Sequence, residues 1–581
     1  MILVQELAAL LVLIAAGLVP TARLVPGRRA FVAAPLVGVA ACGGGALLSL
    51  VIPAPPLVLA AAVVLVVHVV VLRLPAANGR SVVKGITRVM HAPPSGALVV
   101  VAGFGPQLFG TLTSATAFDA RVTWFLHAEW LLGGQGMFLS EIKNRAWTHN
   151  PDYPPAVSAS IAAVWKLLRT HDAELAQFIV AALTGFALSL AIVLILDLRA
   201  TGAGARSITI ERWIWPVVIS AAAYAVIRDY GFNGYMDGFL ACTALCLALL
   251  LFRGDSSPLL VGACAITAAL TKNEGFVFVT IMAIGTTIYG PLRRLVRTPR
   301  LLALWAGVAT GSAWIVLVRA RGAVSWYSAS SVSSSLSGGA DNASRAAIAA
   351  ASVGKQVAGI LLIFLGCFAL SLVDRRSRRP RVFARTLATD GDDARTQVAG
   401  LLAIVAAGVS AVTVAYFVAS STPIRPFLAG SVDRVTMTPK LLLMAASAAV
   451  MPPLSVLRTK RVSAVVAGVL TVLVVGQGAR EARSQLNPGA LGRSAAVGRH
   501  YRCIERRVVA ALPKGSQITV DAPYRWVQRI ESMAYPRYRI VPNEPQRRPN
   551  ARYVLKFTDK PGGCGTITVA GVGRASVARA A

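Results

Sequence analysis

The chain is dominated by apolar runs that are each about long enough to cross a lipid bilayer. A membrane-spanning helix needs about 20 consecutive apolar residues. Hydrophobic residues make up 55% of the 581 positions and charged residues only 14%, and the mean hydropathy is +0.64, far above that of a soluble globular protein. The fold class predicted is therefore an all-α polytopic membrane protein with about fourteen transmembrane helices. The predicted spans lie near 2–22, 30–52, 55–73, 96–113, 174–198, 212–227, 237–252, 258–270, 275–290, 301–318, 355–373, 397–419, 439–456 and 462–477.

Positive charges mark every second loop between these spans. The basic loops lie at 23–29, 73–88, 199–212, 293–300, 375–395 and 458–461. Loops rich in Lys and Arg face the cytoplasm, so the N-terminus, the loop after the fourth span, the 319–354 loop and the tail after about 478 are expected on the exterior (periplasmic) side of the plasma or inner membrane. This topology and a basic tail account for the net charge of +33 without nucleic-acid binding.

Three regions are expected along the chain. Residues 1–95 form additional N-terminal transmembrane helices, residues 96–477 form a transmembrane catalytic core with an exterior loop at 114–173, and residues 478–581 form an exterior C-terminal domain. From 499 onward, helix-like and strand-like stretches alternate, which predicts a small α/β domain. The whole tail, residues 478–581, carries nineteen Lys and Arg residues, which suggests an anionic neighbour such as headgroups or a wall polymer. It has no catalytic constellation, so recognition or support is the expected role.

Seven cysteines divide by location. Five fall in predicted spans, where they act as small apolar residues, whereas Cys503 and Cys564 lie in the predicted exterior tail. A disulfide between these two is expected in an oxidising compartment, and two unpaired thiols are the alternative.

The loop at 114–173, here called the first large loop, carries the most informative polar residues. Asp119 follows a predicted span directly, and several Trp residues lie among charged ones, as in helices that lie at the headgroup level. Ionisable residues at the ends of spans are functional candidates, although helix capping by Asp119, snorkelling and helix pairing are simpler explanations. The candidates on the predicted exterior side are Asp119, His127, Glu129, His149, Asp152, Tyr153, Asp237, Lys272, Glu274 and Arg434.

These residue types suggest a reaction. A carboxylate at the membrane interface can take a proton from a hydroxyl group, and Lys or Arg can neutralise a departing phosphate. Together they predict glycosyl transfer from a lipid phosphate. The two histidines of the first large loop are more often hydrogen-bond partners than metal ligands, so a divalent metal is a less favoured reading and no cofactor is expected.

Five short motifs, in this order along the chain, resemble the GT-C superfamily of polytopic membrane glycosyltransferases, whose protein mannosyltransferase-like members use dolichyl- or polyprenyl-phosphate sugars. The resemblance covers roughly residues 96–456. The motifs are FDARVTWFLHAEWLL (118–132), HNPDYPP (149–155), GYMD (234–237), TKNEG (271–275) and SVDR (431–434).

The resemblance implies an inverting displacement at the exterior face, with a polyprenyl-phosphate sugar as donor and an envelope polysaccharide or glycolipid as acceptor. Asp119 matches the family's catalytic Asp and would be the general base, and Asp152 matches a second loop acid that shapes the acceptor site. Lys272 and Arg434 would bind the donor phosphate. The remaining substrate-binding candidates are His127, Glu129, His149, Tyr153, Asp237 and Glu274.

Two other classes of function fit part of the pattern. A transporter or flippase of a lipid-linked sugar or an anionic envelope polymer also has many spans with internal charges. Such a protein should show corresponding broken spans in its two halves, which the sequence does not, and the first large loop has no evident purpose there. A non-catalytic assembly subunit that retains the fold differs only in the chemistry of Asp119.

Overall fold

The fold is mostly helical in a computed structural model of the chain. The structure describes residues 2–25, 29–73, 94–113, 119–144, 150–200, 205–252, 257–288, 298–323, 340–378, 389–419, 424–451 and most of 503–571, with short stretches and single residues between. The predicted span at 462–477, the Ser-rich stretch 325–337 and His149 lie outside the described residues.

The helices of the membrane region follow the hydropathy pattern closely. They are α1 (Ile2–Leu24), α2 (Arg29–Leu48), α3 (Pro56–Arg73), α4 (Pro94–Thr113), α5 (Leu126–Leu132), α6 (Gln135–Glu141), α7 (Ala156–Leu168), α8 (Ala173–Ala200), α9 (Ala205–Ile227), α10 (Asp237–Phe252), α11 (Pro258–Ala269), α12 (Asn273–Ile288), α13 (Thr298–Ala320), α14 (Ala340–Arg378), α15 (Thr389–Ala419), α16 (Ile424–Val435) and α17 (Met437–Val450). Each predicted span other than 462–477 coincides with one of them. Helix α14 begins within the predicted 319–354 loop.

Seven of the described helices are long and apolar enough to cross a membrane: α1, α2, α3, α8, α13, α14 and α15. The apolar helices α4, α7, α9, α10, α11, α12 and α17 are shorter in their apolar part. Helix α8 is buried along its whole apolar window, whereas α3 and α14 expose most of theirs. The chain is thus an all-α polytopic membrane protein in which α8 forms the centre and the exposed apolar faces turn outward to lipid.

Small residues allow the central helices to approach closely. A side chain at Gly103 of α4 would collide with Ser189 and with the carbonyl of Gly185, both on α8. Small-residue contacts of this kind bring helix backbones together in membranes, where burial of apolar surface gives little driving force.

The first large loop is folded and is hydrogen-bonded to the end of α11 and to α13. It contains a π-helical turn at Ala120–Phe125 and the short helices α5, α6 and α7. Its tryptophans Trp130 and Trp165 are buried. The backbone N–H of Ala156 donates to the carbonyl of Leu270 (2.8 Å), and the indole of Trp314 donates to the carbonyl of Asp152 (2.9 Å). These bonds fix the loop against α11 and α13.

The tail forms the small α/β domain predicted for it. A five-stranded sheet has the order β2-β1-β3-β4-β5, in which β1 is parallel to β2 and β3, and β4 is antiparallel to β3 and β5. Helical residues 503–510 (α18) and Tyr524–Ala534 (α19) accompany it. The structure joins Cys503 to Cys564 by a disulfide, with Cα atoms 5.4 Å apart. The strands are β1 (Gln517–Asp521), β2 (Arg539–Ile540), β3 (Tyr553–Thr558), β4 (Thr566–Gly571) and β5 (Arg579–Ala580).

Burial of Glu531 in this domain generates a prediction. Burial raises the pKa of its carboxyl to about 8 from 4.5, so the folded chain keeps a proton that the unfolded chain loses. The free energy of unfolding therefore falls as pH rises from about 4.5 to about 8. We expect Glu531→Gln to melt with the wild type at pH 4.5 and a few degrees above it at pH 8.5. A difference that does not change between these two pH values contradicts the account.

Candidate active site

Asp119 lies at the start of the π-helical turn, but its side chain does not cap that turn. Its backbone is already helical and its carboxylate makes no capping hydrogen bond. Instead, Nη1 of Arg434 donates to Oδ2 of Asp119 at 3.0 Å, across a sequence separation of 315 residues. Single π-helical turns are uncommon and are frequently found at functional sites. The long-range ion pair, rather than a local cap, therefore fixes the position of this acid.

The guanidinium of Arg434, near the end of α16, packs against an aromatic ring. Its guanidinium lies 5.0 Å from the ring centroid of Tyr235, a cation–π geometry. The hydroxyl of Tyr235 lies beside Asp119, and burial together with that carboxylate raises the pKa of the phenol. Tyr235 therefore stays protonated and can donate to Asp119. The preceding Gly234 has φ +93, and a side chain there would also press on Ala120.

Lys272 lies in the short connection between α11 and α12 and is almost completely buried. Its Nζ is 2.9 Å from Oδ1 of Asp237, the first residue of α10, and 3.4 Å from Oε1 of Glu274. The rings of Trp124 and Tyr153 lie 5.8 and 5.9 Å from the same nitrogen. A buried ammonium is tolerated only when opposite charges and hydrogen bonds replace its water. The two acids supply that replacement.

These charges meet at one end of a cavity of about 140 Å³. Both cations, Lys272 and Arg434, line it together with Asp237 and Glu274. The rest of the wall is mainly apolar and comes from α10, α12 and α15. Its residues include Leu240, Val277, Phe278, Ile281, Val409, Val412, Thr413 and Tyr416.

Exposed apolar side chains of α12 and α15 form part of the cavity wall. Val277 and Val412 belong to its wall, yet they are 40% and 37% exposed. Farther along the same two helices, Ile284 and Ile404 are 44% and 64% exposed. Exposed apolar side chains on membrane helices face lipid. The polar end of the cavity is thus continuous with a lipid-facing apolar surface.

The structure brings together many of the residues singled out from the sequence. Asp119, Asp237, Lys272, Glu274 and Arg434 form the charged cluster, and Tyr153 contributes a ring to it. Asp152 is buried next to Tyr153 in the turn before α7, and its role as an acceptor-site acid stays a prediction.

Two other candidates lie elsewhere in the first large loop. His127 stacks on Trp130 with ring centroids 4.5 Å apart, and burial lowers its pKa to about 3, which keeps it neutral. Glu129 pairs with His171 at 2.8 Å, on the wall of a second cavity of about 680 Å³. Neither residue lines the cavity that holds Lys272 and Arg434.

Two further residues of the site, Tyr235 and Trp124, lie within the GYMD and FDARVTWFLHAEWLL motifs but are not among the predicted site residues. Tyr235 contacts Arg434, and its ring is 6.0 Å from that of Trp124, which in turn lies near Lys272. Both aromatic residues lie close to charged residues of these motifs, and this proximity in the sequence could have indicated them as site residues. Among the described residues, no three His, Cys, Asp or Glu side chains are grouped closely enough to hold a metal ion.

Comparisons with known proteins give one likeness of fold. No protein-family model matches the sequence, and no curated protein matches it significantly. A solved structure with a similar fold is that of ArnT from Cupriavidus metallidurans bound to undecaprenyl phosphate. The TM-score is 0.44 and the sequence identity 15%, over 80% of this chain and 92% of that one. The function of this chain is therefore inferred from its own side chains.

Because Lys272 and Asp237 form a buried pair, the losses of stability caused by replacing each of them should not add. Removing one partner leaves an uncompensated buried charge, which typically costs about 3 to 5 kcal/mol. We expect Lys272→Met to lower the melting temperature of the detergent-solubilised protein clearly, and Lys272→Met combined with Asp237→Leu to recover much of the loss. A loss in the double variant that equals the sum of the losses in Lys272→Met and Asp237→Leu alone would show that the pair is not coupled.

Proposed function

We propose that this protein is a membrane glycosyltransferase that moves a sugar from a polyprenyl-phosphate donor to a hydroxyl acceptor, with inversion at the anomeric carbon. One observation carries the proposal: two cations line a cavity whose remaining wall is mainly apolar and includes exposed side chains of the membrane helices α12 and α15. A lipid with an anionic headgroup matches both ends of such a cavity. A water-soluble nucleotide sugar would match only one.

The donor would enter from the bilayer between α12 and α15. Its isoprenoid chain would lie along Val277, Ile281 and Val412, and its phosphate would reach Lys272 and Arg434. The isoprenoid chain is already surrounded by hydrocarbon in the bilayer, so the apolar wall adds van der Waals contact and positions the chain rather than supplying a hydrophobic gain, while the two cations select for phosphate. The motif resemblance of residues 96–456 points to the same class of donor.

Both cations are already paired in the absence of substrate. Lys272 contacts Asp237 and Glu274, and Arg434 contacts Asp119. Those three acids and two cations leave no excess positive charge for a phosphate. The phosphate must therefore compete with the acids, and the Arg434–Asp119 pair is the more exposed one, with side chains 21% and 31% accessible. Donor binding at Arg434 would release the Asp119 carboxylate.

The released carboxylate is then available as a general base. The acceptor oxygen would attack the anomeric carbon from the face opposite the phosphate, and the bond between that carbon and the phosphate oxygen would break. Asp119 would take the hydroxyl proton, and the polyprenyl phosphate would leave with its new charge neutralised by Lys272 and Arg434. A single displacement of this kind inverts the anomeric configuration. It also orders the steps, since donor binding precedes activation of the base.

The distribution of positive charge along the chain indicates the side of the membrane and the class of acceptor. The alternation of basic loops favours the exterior face for Asp119, and the basic tail favours an acceptor in the envelope, such as a polysaccharide or glycolipid. Asp152 and Tyr153 of the first large loop, of which Tyr153 lies 5.9 Å from Lys272, would contact the acceptor.

The proposal is tested by incubating the purified protein in lipid nanodiscs with polyprenyl-phosphate arabinofuranose, mannose and galactose and a panel of envelope glycans. Transfer from at least one donor is expected. Asp119→Asn should fold normally and lose about 100-fold or more of the turnover, because a general base contributes about that much. Asp433→Asn is the matched control, since it removes a neighbouring carboxylate that pairs with Arg228 and Lys440 instead.

Undiminished turnover in Asp119→Asn would rule out its role as base. Binding of the lipid phosphates without transfer from any donor would instead favour a transporter or flippase of a lipid-linked sugar.

Competition for Arg434 leads to a second, separate prediction. Asp119→Asn should bind undecaprenyl phosphate several-fold more tightly than the wild type, because the neutral amide no longer competes for the guanidinium. Arg434→Gln should bind it at least tenfold more weakly, in line with loss of a charge-assisted contact. The measurement is titration of nanodiscs with undecaprenyl phosphate, followed by native mass spectrometry. Weaker binding to Asp119→Asn would mean that the acid helps to hold the donor.

A further inference from the structure

The turn that carries Asp119 is contacted from outside the membrane region by the C-terminal domain. The guanidinium of Arg121, two residues after Asp119, lies 5.9 Å from the ring centroid of Tyr501. Nε of Arg121 is buried and has no hydrogen-bond partner within the described part of the chain. A cation–π contact with Tyr501 therefore replaces part of the hydration that this side chain has lost.

Opposite charges surround Arg121 from both sides of this contact. Glu505 of the C-terminal domain interacts with it electrostatically, as do Glu174 at the start of α8 and Asp172 just before it. A charge pair that is partly shielded from water is stronger than an exposed one. Arg121 thus links the π-helical turn, the base of α8 and the C-terminal domain through one side chain.

Tyr501 is itself firmly anchored. Its ring lies 5.9 Å from that of Trp526 on α19, and Trp526 lies 4.9 Å from Phe557 on β3. Helix α18, which follows Tyr501, is joined by the Cys503–Cys564 disulfide to the segment two residues before β4. The contact at Arg121 is therefore made by a residue that the sheet and the disulfide hold in place.

The C-terminal domain reaches the first large loop in more than one place. Helix α19 also contacts the π-helical turn directly. The buried side chains Trp526 and Ile530 of α19 belong to the same continuous apolar cluster as Trp124 and Phe125 of that turn. Tyr535, just after α19, interacts electrostatically with Glu129 and Glu141 of the loop.

A π-helical turn needs such support. Its hydrogen-bond pattern is less favourable than that of an α-helix, so it persists only where surrounding contacts favour it. We infer that the C-terminal domain positions the catalytic turn, with Arg121 and Tyr501 as the positioning residues that hold Asp119 in register with Arg434. This assignment rests on the proposed role of Asp119 in the reaction. Neither residue touches the reacting atoms.

The inference separates two properties of the protein. The described residues that line the donor cavity belong to α10, α12, α15, α16, α17 and the connection that holds Lys272, and none of them belongs to the C-terminal domain. Loosening the contact between Arg121 and Tyr501 should therefore leave the phosphate-binding side chains in place, and the lipid phosphate should bind at least as tightly as it does to the wild type. The loosening should, however, disturb the alignment of Asp119 with the acceptor, and misplacement of a reacting group by about 1 Å can cost about 100-fold in rate.

The test compares Tyr501→Phe, which keeps the ring, with Tyr501→Leu, which removes it. Hydrogen exchange of the full-length protein in nanodiscs, read by mass spectrometry on peptides covering 119–132, reports the turn without any substrate. We expect several-fold faster exchange in Tyr501→Leu and wild-type exchange in Tyr501→Phe. Peptides covering β1 and β3 should exchange as in the wild type in both variants, which shows that the domain remains folded.

Should Tyr501→Leu unfold the domain, Arg121→Met makes the same test from the other side, with Arg121→Lys as its conservative partner. Wild-type exchange over 119–132 in both Tyr501→Leu and Arg121→Met would overturn the inference. Turnover of the donor that the wild type uses adds a second readout. A roughly tenfold fall in kcat in Tyr501→Leu is expected, with a donor KM no higher than that of the wild type and with wild-type kcat in Tyr501→Phe. An unchanged kcat in Tyr501→Leu counts against the positioning role.

The two proposals fail in different ways. A wild-type protein that transfers no sugar refutes the proposed function, whereas the exchange measurement still decides whether the C-terminal domain holds the turn. Normal sugar transfer, together with hydrogen exchange over 119–132 that does not change when Tyr501 is replaced, refutes only the positioning role.

Discussion

The ion pair between Arg434 and Asp119 is the contact on which the site depends. It joins a late helix, α16, to the start of the first large loop, 315 residues earlier. Without it, the position of the acid beside the cavity would depend on Tyr235 and on the contacts of its own turn. With it, one guanidinium contacts the acid while lining the pocket that also holds Lys272. Because a guanidinium presents several donors in a fixed plane, it can exchange a carboxylate for a phosphate with little movement.

The architecture around this pair follows from the cost of charge in a membrane. Buried ionisable groups are tolerated where they pair with one another and where helices end. Asp237 begins α10, Lys272 lies between α11 and α12, and Arg434 is near the end of α16. The short helices therefore create one polar level, while α12 and α15 extend the apolar wall into the bilayer region. The first large loop covers this level, and the C-terminal domain covers the turn at Arg121.

Hydropathy and motif order predicted much of this arrangement. Periodic apolar runs located the helices, and the alternating stretches of the tail located the strands of its sheet, because both signals are local. The clustering of Asp237, Lys272 and Arg434 was expected from similar short motifs. The pairing of Asp119 with Arg434 was not, since nothing local links residues so far apart.

Other features depended on tertiary packing alone. The π-helical turn has no sequence signature that distinguishes it from an α-helix. His127 and Glu129 were grouped with the site because they lie near Asp119 in sequence, but the helix carries them to Trp130 and His171. The roles of Tyr235 and Tyr501 depend on the tertiary contacts of their rings with Arg434 and Arg121, which the sequence does not indicate.

The central claim is that a lipid phosphate takes Arg434 from Asp119. It is tested most directly by a cryo-electron microscopy structure of the protein in nanodiscs with undecaprenyl phosphate. The account predicts phosphate density between Lys272 and Arg434, an isoprenoid chain between α12 and α15, and an Asp119 carboxylate that has separated from the guanidinium. Phosphate density at another place, or an Arg434–Asp119 pair that remains at 3.0 Å with the lipid bound, would contradict it.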